Sequence, residues 1–156
     1  MNNLLWLSDL NENIEQFLLS LNHDHDKFNF KPCIDGSEKS GEKLKLGFCC
    51  YALKIFFISG AWHRVDDKKK YEWTNYINSF QKKQKEFPEN SFVDSEYVRY
   101  FNLEQNRQFI KNSGKKLLNL LPNQNYLSKN EILINSIRAE SKQAISTLYQ
   151  VNTINQ

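Results

Sequence analysis

Residues 45–60, KLGFCCYALKIFFISG, leave the chain few ways to fold. Lysine interrupts the stretch only at Lys45 and Lys54. A segment that is apolar on nearly every side has to be covered on nearly every side. Its length and low β-branched content favour a helix over a strand, and Gly60 suits the C-terminal stop. The run is too short and too mixed to span a membrane comfortably. Its cover therefore has to come from the rest of the 156 residues, of which 40% are hydrophobic and 13% aromatic. That is enough for one domain with a real core. Five glycines and three prolines are too few for a turn-rich all-β architecture.

The spacing of apolar residues elsewhere predicts further helices. Leu10, Ile14, Phe17, Leu18 and Leu21 make one stripe, with Glu12, Glu15 and Gln16 opposite. Trp73, Tyr76, Ile77 and Phe80 make another over 66–83, where Asp66 and Asp67 suit the N-terminus better than they suit a catalytic pair. EYVRYFN and RQFIKNSGKKLLNLL read as one or two helices within 94–121, closed by Pro122. Ser128 and Glu131 have capping-box spacing ahead of a last helical stretch, either single or broken near Asn135 and Ser136. Residues 31–44 read as a loop.

Two stretches resemble each other at a separation of 59 residues: FLLSLNHDHDKF (17–28) and YINSFQKKQKEF (76–87). Phe17 aligns with Tyr76, Leu18 with Ile77, Ser20 with Ser79, Leu21 with Phe80, Asn22 with Gln81 and Phe28 with Phe87. ALKIFFISG (52–60) aligns in turn with AISTLYQVN (144–152), pairing Ala52 with Ala144. The expected organisation is a single helical domain, 1–156, built from units of about 10–60 and 66–152.

These units resemble the α/α-toroid family of helical-hairpin repeats, which includes prenyltransferase β subunits and terpenoid cyclases of the squalene–hopene type. The resemblance rests on FLLSLNHDHDKF, YINSFQKKQKEF and the inner-type helices LGFCCYALKIFF and RAESKQAISTL, within 14–60 and 70–152. It implies an all-α fold of antiparallel helical hairpins, a segment of an α/α toroid. The chain would then be the N-terminal part of a longer toroid, since a repeat array needs neighbours to bury its faces. The cyclases' DxDD motif and the prenyltransferases' zinc ligands have no counterpart here, so the resemblance implies architecture more than chemistry.

In such a toroid the ends of the inner helices border a central cavity. That makes Arg138, Glu140, Lys45 and Tyr51 the expected ligand-binding residues, with Trp62 as a further aromatic wall. His23, Asp24, His25 and Asp26 look like a metal box, but the second copy replaces them with KKQK, so a solvated junction is the expected role and no metal or cofactor is implied. Cys49 and Cys50 sit in apolar surroundings that make thiols inert. An odd count of three cysteines and an N-terminus without secretory character predict a cytoplasmic protein with reduced thiols. The net charge of +3 and the lysine runs at 68–70 and 82–85 read as solvated faces, not as a nucleic-acid surface. Two functions follow. One is a segment of a toroid enzyme acting on an isoprenoid or carbohydrate-like substrate, without a complete catalytic set in this chain. The other is a non-catalytic helical scaffold that binds a protein partner, or a second copy of itself, through an exposed apolar face.

Overall fold

The structure, a computed structural model, describes residues 5–24, 27–37, 41–82, 86–103 and 127–152. The chain is mostly helical: α1 (Leu5–Ser20), α2 (Leu46–Ile58), α3 (Asp67–Asn78), α4 (Ser95–Leu103) and α5 (Lys129–Asn152). Short 3-10 turns occupy Gly41–Lys43 and Ala61–Arg64. The helix read over RQFIKNSGKKLLNLL lies outside the described residues. Where a polar junction was expected after α1, a small hairpin forms instead, β1 (Asn22–Asp24) against β2 (Lys27–Phe30).

α2 forms as its composition predicts and keeps Leu46, Cys49, Cys50, Ala52, Leu53 and Phe56 out of solvent, but it is not covered on every side, since Tyr51 and Ile58 are exposed. α5 lies along it. Gln143 Nε2 donates to the Gly47 carbonyl at 3.3 Å, and Thr147, whose hydroxyl donates to the Gln143 carbonyl at 2.7 Å, lies beside Cys50. Residue numbers rise together along this contact, so the two helices run in the same direction. Burial recurs between them at Leu46, Cys50, Leu53 and Phe56, and at Ile137, Ser141, Ala144 and Thr147, a constant separation of 91 residues. The register differs by one from the alignment of Ala52 with Ala144. α2 is apolar all round, so residue type alone cannot set its phase. α5 is one uninterrupted helix, started by the capping box: Ser128 N–H donates to Glu131 Oε2 at 2.6 Å, and Glu131 N–H returns to Ser128 Oγ at 3.3 Å.

α1 and α3 end in the same way. Ser20 Oγ donates to the Phe17 carbonyl and Ser79 Oγ to the Tyr76 carbonyl, both at 2.6 Å. The Leu21 carbonyl accepts from Lys31 N–H at 2.7 Å, and the Phe80 carbonyl accepts from Val93 N–H at 2.8 Å. Asn22 then pairs with Phe30, and Gln81 with Phe92. The equivalent closing rings are thus Phe30 and Phe92, both buried, and not Phe28 and Phe87. The second connection is three residues longer, which displaces the alignment beyond Gln81.

The main core gathers around Trp73 of α3. Phe28 and Phe30 lie nearly parallel to its indole, with centroids 4.9 and 5.5 Å away, while Phe56 and Trp62 meet it edge-on at 5.2 and 5.9 Å. Its Nε1 donates to Cys49 Sγ at 3.1 Å. Phe28 and Phe30 reach the same indole because alternate residues of a strand share a face. A second cluster joins Val93, Leu133 and Ile137 to Tyr97, Val98 and Phe101 of α4. Phe17 of the predicted α1 stripe is half exposed, because Leu18 and Leu21 take the core side. Replacing Trp73 with alanine removes the centre of five rings and is expected to lower the unfolding free energy by about 3–5 kcal/mol. Urea titration checks this, and a loss below about 1 kcal/mol would show that the rings pack as well without the indole.

Candidate functional site

Lys45 occupies the N-cap position of α2, where its side chain makes no capping bond. The missing acceptor arrives from 49 residues along the chain. Asp94 is buried, and its Oδ2 accepts from the backbone N–H groups of Lys45 at 2.6 Å and Leu46 at 3.1 Å. Its Oδ1 accepts from Glu96 N–H at 3.0 Å, in the first turn of α4. One carboxylate therefore caps two helices, each of which has N–H groups with no partner inside the helix.

Glu140 approaches this carboxylate from α5. Its Oε2 is buried with no hydrogen-bond partner. Burial foremost, and the charge of Asp94 second, push its carboxyl up to about 7. The same surroundings include Cys50, whose thiol burial raises to about 12, and Tyr76, whose hydroxyl burial also raises, with Cys49 and Asp94 adding to it. Cys49 is raised by burial as well. Neither thiol of the pair is a ready nucleophile. An acid that keeps its proton near neutrality beside a second carboxylate is suited to proton donation.

The other residues expected to bind ligand are placed differently. Arg138 is exposed, two residues before Glu140 and so on a different side of α5, and no ion pair joins them. These residues lie well inside α5, which begins at Lys129, and not near its start. Lys45 contributes its backbone N–H to Asp94, while Tyr51 is exposed on α2. Trp62 is buried in the core. Asp66 caps α3 by accepting from Lys69 N–H at 2.8 Å, and Asp67 pairs with Lys70. His23 and Asp24 lie in β1, while His25 and Asp26 lie outside the described residues. Among the described residues no three His, Cys, Asp or Glu side chains come together to hold a metal ion. No described helix is long and apolar enough to cross a membrane. Asp94 was not singled out in the sequence; the cue was a helix whose N-cap position holds lysine.

Compared with protein-family models, curated proteins and solved structures, the chain matches none.

Glu140 links stability to pH. Its ordinary value is 4.5, and in the fold it titrates near 7. Between these values the folded chain holds a proton that the unfolded chain has released, so stability falls as pH rises through this window. Glu140→Gln is expected to flatten that slope and to exceed the parent by about 1–3 kcal/mol at pH 8. Urea melts from pH 5 to 8 test it; curves that stay parallel for parent and variant would contradict it.

Proposed function

We propose that the chain is a segment of an α/α-toroid-type helical array that donates a proton to a carbohydrate-like or isoprenoid substrate, with Glu140 as the acid and Asp94 beside it. The observation that carries this reading is the buried, unpartnered Glu140 oxygen held near neutral titration next to a second carboxylate. Two features support the architecture. α1 and α3 are closed by the same serine and backbone bonds. α2 and α5 run side by side in one direction with burial repeating along both. Parallel inner helices bring their like ends together, and Asp94 stands at the head of α2. The protein would work with Cys33, Cys49 and Cys50 reduced, in a compartment such as the cytoplasm.

Purified protein assayed against aryl glycosides and isoprenyl diphosphates is expected to turn over one of the two classes, and Glu140→Gln to reduce kcat by about a hundredfold or more. Absence of turnover on both, or equal rates for parent and variant, would count against proton donation by Glu140.

A different observation favours the scaffold reading. Ile58 is 80% exposed on α2, and Tyr51, seven residues earlier on the same strip, is 57% exposed. A strip of this kind can grip a helix of a protein partner or of a second copy. On this reading light scattering shows a concentration-dependent dimer that Ile58→Asp disperses, whereas identical monomeric profiles for both proteins would exclude self-association through this strip.

A further inference from the structure

Away from the acid pair, a half-open groove of about 440 Å³ lies between the start of α3 and the end of α5, a size suited to a small ligand. Trp62, Asp67, Lys70, Tyr71, Thr74 and Asn152 line it. Trp62 is only 1% exposed, and its indole N–H is buried without a hydrogen-bond partner. A buried donor left this way is uncommon, because the group has given up water and received nothing in return. Tyr71, in contrast, is 68% exposed and offers a bare ring at the rim.

The polar groups narrow the choice of ligand. Lys70 is largely buried, and its Nζ lies 3.2 Å from Asp67 Oδ1, while the Asp67 carboxylate is open to solvent. An anion entering the groove would find the ammonium already matched and a carboxylate facing it. An apolar peptide segment would strand the lysine, the acid and the Asn152 amide. A polyhydroxylated ring satisfies all of them. Its C–H face rests on an aromatic side chain, and its hydroxyls both donate to the carboxylate and amide oxygens and accept from the ammonium and indole N–H. We propose that this groove binds a neutral pyranoside, with Tyr71 as the stacking ring and Asp67, Lys70 and Asn152 as hydroxyl partners. The inference does not depend on Glu140 or on any catalytic role for it.

The chain has three tryptophans, so the nitrogen-15 spectrum holds three indole N–H resonances, those of Trp6, Trp62 and Trp73. Intact protein is titrated with glucose, N-acetylglucosamine, maltose and cellobiose, and separately with inorganic phosphate. The Trp62 resonance is expected to move saturably with at least one sugar at millimolar concentration. Tyr71→Ala, a change at an exposed position, is expected to weaken that sugar about tenfold while leaving the melting temperature in place. The proposal is overturned if Trp62 is unmoved by all four sugars, if only phosphate moves it, or if Tyr71→Ala binds as the parent does.

Discussion

Asp94 holds together parts of the chain that have little else in common. Its carboxylate closes α2 and α4 at once, and the three residues before it are tied elsewhere: the Ser91 carbonyl accepts from Lys82, Phe92 N–H donates to Ser141 Oγ on α5, and Val93 N–H donates to the Phe80 carbonyl. All four residues of this segment are buried. A buried peptide segment is tolerable only if its backbone groups are answered, and here the answers come from α5 and from the turn that follows α3. The segment is short, but the relative placement of four helices runs through it. The electrostatic consequence falls on Glu140. Burial raises its carboxyl most and the charge of Asp94 adds to that, so the group that organises the fold also contributes to tuning the candidate acid.

Trp73 does for the apolar side what Asp94 does for the polar side. Its ring meets β2 through Phe28 and Phe30, α2 through Phe56, and the 3-10 turn through Trp62. Ring pairs with centroids in this range add to the burial of their area. The bond from its N–H to Cys49 satisfies a donor that burial would otherwise leave bare. Trp62, its neighbour in the same cluster, has no such acceptor. The two indoles differ in environment despite being packed together, and the difference marks where the core borders the groove beside α3.

Much of the helical framework was legible in the chain because its causes are local. The solid apolar run fixed α2 to within a residue or two. Ser128 with Glu131 marked the start of α5, and Asp66 marked that of α3. The hairpin after α1 was missed, although Phe28 and Phe30 carry the alternation of a strand; the charged HDHD stretch masked a signal only a few residues long. Of the candidate site, Glu140 could be named, but not its partner. Asp94 caps a helix 48 residues earlier in the chain, and no local pattern announces a bond of that range. Arg138 and Tyr51 looked equivalent to Glu140 until helical phase, which an all-round apolar neighbour does not disclose, put them on exposed faces.

The closures of α1 and α3 also bear on how such a chain can change length. Asn22 meets Phe30 across eight positions and Gln81 meets Phe92 across eleven, yet a backbone bond of nearly equal length shuts both, from Lys31 to Leu21 and from Val93 to Phe80. The clasp is indifferent to what it encloses. Lengthening a closed loop costs little, since the entropic penalty grows only with the logarithm of its size. A change in the length enclosed therefore disturbs such a chain less than loss of the two clasping bonds, which both connections keep.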